Sequence, residues 1–153
     1  PSDVSTQQVV AFEHTRTVRF HEIDRAGIVY FADVLQYCHV VYEELMTQIV
    51  GSLEVFFSDS GWGMPLVHTE ADYSRPNRLG DALRIALTVE RLGKTSVTFA
   101  YEIWCQEELR ARAKLVHAFV DMKTFKPIEA PQAFRQGLSS LGLLPKKQLD
   151  NDD

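Results

Sequence analysis

Asp24 and the aromatic residues that follow it form the stretch of this sequence best suited to chemistry. The carboxylate lies in an Asp-Arg-Ala-Gly segment, and the apolar run 28–31 follows at once. A helix that begins in this run offers unpaired backbone N–H groups and a partial positive charge at its first turn. We therefore interpret Asp24 as a candidate nucleophile or general base, and the backbone N–H of Phe31 as a candidate oxyanion donor.

Asp24 also has a second interpretation, which spacing alone leaves open. Asp-x-x-Gly is a common turn composition, and Asp is a frequent N-cap, so the residue could form a turn and nothing more. The side chain of Phe31 is in either case a candidate for core or pocket lining, since only its backbone would act on a substrate.

Other constellations of reactive residues are weaker. His39 and Glu43 stand four residues apart, which suits either an acid–base pair or a polar contact on one helix face. The five histidines lack metal-ligand spacing and the two cysteines form no CxxC pair, so neither a metal nor a cofactor is expected. The sequence also contains no nucleophile elbow and no P-loop.

A long helix is predicted to follow the candidate catalytic segment, from about Tyr30 to Val50. Its apolar residues recur at i, i+3 and i+4, and Gly51 supplies a stop. The helix is apolar almost all round as far as Tyr42, which is typical of a helix wrapped by other elements. A short continuation is predicted over 53–57, and a second helix over 131–142.

The remaining segments alternate as strands do. Strands are predicted over 12–20, 67–75, 81–92, 95–105 and 109–121. A three-residue loop, Leu92-Gly93-Lys94, would pair Val89 with Val97.

The next hairpin, closed around 106–108, would pair Trp104 with Arg110 and Glu102 with Arg112. These elements predict an α+β domain in which an antiparallel sheet wraps one long helix. We expect a loose arm over 1–10, a single domain over 11–145 and an acidic tail over 146–153.

Composition limits the classes of function. The 153 residues are 45% hydrophobic and carry a net charge of −5, which fits a globular domain and speaks against general nucleic-acid binding. Cys38 and Cys105 lie far apart on apolar sides of their segments, so we expect reduced, buried thiols. The sequence begins with no signal-peptide pattern and has no run of membrane-spanning length, and we expect a cytoplasmic protein that does not enter a membrane.

Two motifs resemble one family. Asp-Arg-Ala-Gly-Ile-Val-Tyr-Phe at 24–31 resembles a signature of the 4-hydroxybenzoyl-CoA thioesterase family, and Tyr-Ser-Arg-Pro-Asn-Arg-Leu-Gly-Asp at 73–81 is similar to its Tyr-x-x-Pro-x-x-x-x-Asp stretch. The first motif is most similar to that of the 1,4-dihydroxy-2-naphthoyl-CoA thioesterases of phylloquinone synthesis. The resemblance implies the hotdog fold, an antiparallel sheet around a central helix. It also implies hydrolysis of an aromatic acyl-CoA by a homotetramer, with sites shared between subunits.

The resemblance assigns roles to particular residues. It implies that Asp24 is the catalytic carboxylate and that the backbone N–H of Phe31 polarises the thioester. Many relatives carry His or Tyr at the position of Phe31, so no side-chain role is expected there. It also places Lys94 near cations that bind CoA phosphates in some relatives.

The predicted substrate contacts fall into two groups. Tyr30, Phe57 and Trp62 are predicted to form a flat apolar pocket for the acyl group, and Arg78 and Lys94 to contact the CoA phosphates. Alternatives remain open: a thioesterase of fatty acyl-CoA or acyl-carrier protein, a non-catalytic acyl-CoA-binding hotdog protein, and a dehydratase that would use His39 and Glu43.

Overall fold

A 20-residue helix, α1 (Phe31–Val50), packs against a five-stranded antiparallel sheet in the computed structural model, which describes residues 10–145. Its strands are β1 (Phe12–Thr17), β3 (Leu66–Tyr73), β4 (Ala82–Leu92), β5 (Ser96–Cys105) and β6 (Glu108–Ala118). They lie in the order β1-β4-β5-β6-β3. The predicted α+β architecture, one antiparallel sheet on one long helix, is therefore confirmed.

The smaller elements stand around this framework. A single 3-10 turn covers Phe20–Glu22, and a two-stranded ribbon joins β2 (Trp62–Gly63) to β7 (Val120–Asp121). Two further helices are α2 (Leu53–Asp59) and α3 (Gln132–Ser140). No helix within residues 10–145 combines the length and the apolar character needed to cross a membrane.

Gly51 separates α1 from α2. Its φ of 81° is a left-handed conformation that glycine adopts without a side-chain clash, and its N–H donates to Thr47 O at 2.8 Å. Ser52 then caps α2, because its Oγ accepts a hydrogen bond from Val55 N–H. The predicted continuation over 53–57 is thus a separate helix that changes direction after Gly51.

The core lies between α1 and the inward face of the sheet. Alternate residues of β4, among them Leu83, Ile85 and Leu87, are almost completely buried, as their spacing predicts. Val41 and Leu45 of α1 are fully buried on the helix side. Each such side chain contributes about 1.5–3 kcal/mol through removal from water, so the alternation largely decides which face the sheet presents to α1.

The register of the β4–β5 hairpin differs from the prediction. Val89 lies opposite Phe99 instead of Val97, and Leu92 lies opposite Val97. The turn closes through Gly93 N–H to Ser96 O at 2.8 Å, and the register shifts between Val89 and Arg91. The bulge inserts one extra residue into β4. Without this residue, the observed turn would pair inward side chains of β4 with outward side chains of β5; with it, inward residues pair with inward residues.

The β5–β6 hairpin confirms one predicted pair and contradicts another. Glu102 lies opposite Arg112, and their side chains form an ion pair at 3.2 Å. A register shift after Ile103 instead places Trp104 opposite Leu109. The Trp104 ring is approached by the guanidinium of Arg84 on the neighbouring strand, 5.7 Å from the ring centroid.

The first strand is shorter than predicted. It ends at Thr17, and Phe20, the last residue of the predicted strand, is exposed in the 3-10 turn that follows. The predicted tail over 146–153, and the predicted arm except for Val10, lie outside the described residues. Cys38 is buried, Cys105 is half-buried, and neither forms a disulfide.

Candidate active site

Asp24 lies in a tight turn that precedes α1. Its N–H donates to Ile28 O at 2.8 Å, and its Oδ1 accepts from Ala26 N–H at 2.8 Å. The turn-forming role that the composition allows is therefore present. Among residues 10–145 the second carboxylate oxygen, Oδ2, has no hydrogen-bond partner, so one oxygen shapes the turn while the other stays available.

The start of α1 lies beside this turn. An antiparallel bridge between Ile23 and Val29 joins the flanks of the turn, so Asp24 and Tyr30 each follow a bridged residue. None of the described backbone hydrogen bonds uses the N–H of Phe31, the first residue of α1. A free N–H at a helix N-terminus is a donor for an oxyanion, and here it accompanies a carboxylate on the opposite flank of the loop.

An ion pair of the buried Glu22 with the partly buried Arg16 holds this loop. Glu22 is 5% exposed; its carboxylate accepts from Arg19 N–H at 2.7 Å and pairs with the guanidinium of Arg16. The backbone oxygen of Glu22 accepts from Tyr30 N–H at 3.0 Å. Glu22 thus connects the residues before the Asp24 turn with the start of α1.

Sequence reasoning missed this pair, although one signal was available. Arg16 shares the inward parity of Phe12 and His14 on β1, and a cation on an inward face needs a buried anion. Its guanidinium also lies 4.1 Å from the centroid of the Tyr37 ring. Burial raises the pKa of the Tyr37 hydroxyl well above its ordinary value, and the nearby Glu22 carboxylate raises it further.

The β3–β4 loop supports the other side of the turn. Asn77 O accepts from Val29 N–H at 2.9 Å, and Arg78 forms a bridge with Ile28. Asp81 anchors this loop by accepting from Arg78 N–H and from Arg110, both at 2.8 Å. Partial burial acts to raise the pKa of Asp81, but these two hydrogen bonds outweigh it and hold the pKa below its ordinary value.

A cavity of about 680 Å³ opens further along α1. The predicted aromatic residues Phe57, on α2, and Trp62, on β2, both line it. Gly61, with a φ of 75°, lies between them and also lines the cavity. The side chain of Phe57 is 80% exposed, so an apolar rim surrounds the opening.

The other predicted site residues lie outside this cavity. Tyr30 packs its ring 4.6 Å from that of Phe31, and neither lines the cavity, nor does Asp24. Phe31 and His39, a cavity residue, are eight positions apart, which is about 12 Å along a helix. Within one chain, the structure does not bring the candidate catalytic residues and the predicted acyl pocket together.

Arg78 and Lys94, the two residues predicted to contact the CoA phosphates, lie in different parts of the structure. Arg78 lies beside the Asp24 turn through its bridge to Ile28. Lys94 lies at the tip of the β4–β5 hairpin, where its ammonium contacts Glu129 at 3.5 Å and its backbone oxygen accepts from Ala130 N–H. That tip adjoins the segment before α3, and α3 packs on the C-terminal end of α1, far from Asp24.

His117 is a buried polar residue of the cavity wall that sequence reasoning did not select. Its Nδ1 lies 2.9 Å from Met64 O, and its ring stacks on Tyr42 with centroids 4.6 Å apart. Burial lowers the pKa of His117, against the raising effect of the bond to Met64 O. Its inward position on β6, two residues beyond Leu115, was the available signal.

The remaining candidates give no further reactive centre. His39 and Glu43 form an exposed pair at 3.3 Å on α1, with His39 at the cavity. Over residues 10–145, no group of three His, Cys, Asp or Glu side chains is close enough to hold a metal ion.

Comparison with known proteins gives consistent matches. A family model described as the thioesterase-like superfamily matches residues 18–138. A relative named 1,4-dihydroxy-2-naphthoyl-CoA hydrolase, from Nostoc punctiforme, is 35% identical over 131 residues, which are 86% of this chain and 88% of the relative. A relative of the same name from Rippkaea orientalis is 35% identical over 131 residues, 84% of this chain and 95% of its own length. The crystal structure of a 1,4-dihydroxy-2-naphthoyl-CoA thioesterase from Synechocystis aligns with a TM-score of 0.79 at 31% identity, covering 89% of this chain and 100% of that one.

Proposed function

The chain belongs to the thioesterase-like superfamily and has the hotdog fold, and from this premise we propose that it hydrolyses an aromatic acyl-CoA, 1,4-dihydroxy-2-naphthoyl-CoA. The substrate is that named for its relatives, which match the chain over most of its length. This assignment gives it a place in phylloquinone biosynthesis. The two free cysteines fit the reducing cytoplasm, where we expect it to act.

One observation carries the mechanism: a carboxylate with an available oxygen and an unused helix N–H flank the same bridged loop. The thioester oxygen accepts from Phe31 N–H, which draws electron density from the carbonyl carbon. Asp24 then either attacks this carbon or takes a proton from a water that attacks it. The C–S bond breaks and the CoA thiolate leaves and is protonated. On the first route a mixed anhydride of the acyl group with Asp24 forms, and a water molecule hydrolyses it to the free acid and the Asp24 carboxylate; on the second route the attacking water gives the acid directly.

The cavity suits the acyl group. Its volume of about 680 Å³ accommodates a bicyclic ring, and aromatic side chains such as Phe57, Trp62 and Tyr42 offer flat faces to it. The predicted fatty acyl alternative has no comparable need for flat walls. Tyr30, at the start of α1, would contact the substrate closer to the thioester than these residues do.

The separation of Asp24 from the cavity favours a site completed by a second copy. β3 is an edge strand of eight residues with mostly exposed side chains, so a two-fold axis can pair it with its counterpart. Pairing over its whole length places Leu66, a cavity residue, opposite the partner's Tyr73. Since the Tyr73 hydroxyl donates to Phe31 O at 3.1 Å, the cavity of one copy meets the catalytic loop of the other.

The phosphate contacts follow from the same arrangement. Arg78 lies beside the Asp24 turn, where its side chain can reach CoA phosphates at the mouth of the site. Lys94 would serve a site formed by other copies, since in its own chain it adjoins the segment before α3, the helix that packs on the C-terminal end of α1. We propose a homotetramer, made of two such dimers.

The first test is thiol release from aromatic and aliphatic acyl-CoAs by the protein and by its Asp24→Asn variant. We expect rapid cleavage of 1,4-dihydroxy-2-naphthoyl-CoA and a loss of about 10³-fold or more in kcat for Asp24→Asn, because the amide can neither attack nor accept the proton. Glu90→Gln is the control, since Glu90 is an exposed carboxylate on β4 that pairs with Lys114 at 2.8 Å and does not line the cavity.

Other outcomes would replace parts of the proposal. Cleavage of aliphatic thioesters alone would keep the mechanism and change the substrate. Tight binding of acyl-CoA without any cleavage would favour a binding protein. Hydration of an enoyl-CoA that depends on His39 and Glu43 would favour a dehydratase.

A further inference from the structure

We propose that His117 selects hydroxylated aromatic acyl groups, because its Nε2 accepts a hydrogen bond from a hydroxyl on the ring bound in the cavity. The inference takes its substrate class from the proposed function. It assigns a specificity role to a residue that the hydrolytic mechanism does not use.

The hydrogen bond to Met64 fixes the tautomer of His117. Met64 O is a carbonyl oxygen and only accepts, so Nδ1, 2.9 Å away, carries the proton. In a neutral imidazole Nε2 then bears a lone pair. Burial lowers the pKa of His117, which keeps the ring neutral near pH 7. Nε2 is therefore an acceptor that requires a donor.

Nε2 is buried and has no hydrogen-bond partner among the described residues. Native proteins rarely leave buried polar atoms unpaired, and such an atom beside a cavity is a natural contact for a ligand. The flat face of the ring is covered by Tyr42, stacked at an interplanar angle of 9°, and Phe99 approaches edge-on at 5.7 Å. The lone pair of Nε2 points outward in the plane of the His117 ring, and neither of these ring contacts supplies a hydrogen-bond donor to it.

The surroundings define which donor fits. Tyr42, which stacks on His117, and Trp62 line the same cavity, whose mostly apolar wall admits a flat ring; His39 and Lys123 are polar residues of that wall. A phenolic hydroxyl supplies one neutral donor in the plane of such a ring. Because Nε2 is covered, the hydroxyl reaches it with a small shift of the wall, where the flexible side chains of Met64 and Met122 lie.

The test compares two substrates on three enzymes: wild type, His117→Asn and His117→Gln. The Asn amide N–H can replace Nδ1–H in the bond to Met64 O and has no group at the position of Nε2. The Gln amide oxygen reaches that position and restores an acceptor. The substrates are 1,4-dihydroxy-2-naphthoyl-CoA and 2-naphthoyl-CoA, which has no hydroxyl groups.

We expect His117→Asn to lower kcat/KM for the dihydroxy substrate by about tenfold, the effect of one lost hydrogen bond. Its kcat/KM for 2-naphthoyl-CoA should change by less than about twofold, and His117→Gln should recover part of the preference. An equal loss with both substrates, or no loss with either, would overturn the inference. A wild-type enzyme that does not prefer the hydroxylated ring would overturn it without any variant.

Binding of the free acids separates this inference from the proposed function. Titration calorimetry with 1,4-dihydroxy-2-naphthoic acid and 2-naphthoic acid needs no catalysis. A preference for the hydroxylated acid that disappears in His117→Asn would support the role of His117 even if no thioester were cleaved. Cleavage that depends on Asp24, with equal affinities of wild type and His117→Asn for the hydroxylated acid, would retain the enzyme and reject His117.

Discussion

At the level of single residues, the geometry of Asp24 allows one carboxylate both to form a turn and to take the proposed catalytic role. Its Oδ1 accepts from Ala26 N–H and shapes the turn, while Oδ2 has no partner among residues 10–145. The composition of the motif predicted both interpretations because each uses the same short side chain. The structure uses one oxygen in the turn and leaves the other available for the proposed catalysis.

Glu22 should behave as a positioning residue for this turn. We expect Glu22→Gln to lower kcat by about tenfold with KM within about twofold, because the loop that holds Asp24 and Phe31 N–H loosens. The same change leaves the partly buried Arg16 guanidinium without its anion, so the free energy of unfolding should fall by about 1–3 kcal/mol. Steady-state kinetics well below the unfolding temperature, together with urea unfolding, measure the two effects.

Glu13→Gln is the control for this prediction. Glu13 lies on β1, the strand of Arg16, and pairs with Arg84 at 2.8 Å, but both side chains are exposed, so we expect a loss of less than about 1 kcal/mol and unchanged kinetics. A Glu22→Gln enzyme that remains folded and retains wild-type kcat would show that the ion pair serves stability alone.

At the level of secondary structure, periodicity predicted the elements and their inward faces, but the strand registers only in part. The face of β4 follows from alternating Leu and Ile, whose burial is the dominant energy. No residue type in β4 marks the bulge after Val89. Whether the strand contains an extra unpaired residue depends on the geometry of the turn that follows it. Both registers keep the same apolar face, so hydrophobic pattern alone did not distinguish them.

The contact between α3 and α1 makes a prediction at this level. A Cβ on Gly137 would stand 2.8 Å from Ile49 Cγ2, well inside van der Waals contact. We expect Gly137→Ala to lower the free energy of unfolding by about 1–3 kcal/mol, although alanine favours helices more than glycine does. Urea unfolding measures the change.

A second substitution tests whether the contact with Ile49 causes the loss of stability in Gly137→Ala. Ile49→Ala in the Gly137→Ala background removes the branched side chain, so we expect the double variant to lose less than the sum of the two single changes. Gln136→Ala, at the exposed neighbouring position, should have little effect. Additive losses would point to a cause other than the clash.

At the level of the whole molecule, the separation of Asp24 from the cavity was beyond the reach of sequence reasoning. Phe57 and Trp62 were predicted as pocket residues from their aromatic type, and both line the cavity. Their position relative to Asp24 depends on how β3 and α2 fold back along α1, which no local pattern encodes. The assembly that would bring them together is a property of two chains.

Mixed assemblies test this arrangement directly. Asp24→Asn lacks the carboxylate, and Met122→Trp is designed to fill the cavity mouth, so each variant alone should be inactive. A mixed dimer purified through two different affinity tags should recover about half of the wild-type activity per dimer, since one of its two shared sites is intact. A site formed within one chain predicts no activity in the mixed species.

Gly51 and Gly61 bound a short segment whose sequence could change in evolution without changing the rest of the proposed site. The segment between these two left-handed glycines carries α2 and the Phe57 side of the cavity, but none of the residues that hold the Asp24 turn. Exchange of this short segment would change one wall of the proposed acyl pocket and leave the proposed catalytic loop as it is. Evolution of this segment could therefore alter the range of substrates without altering the proposed chemistry.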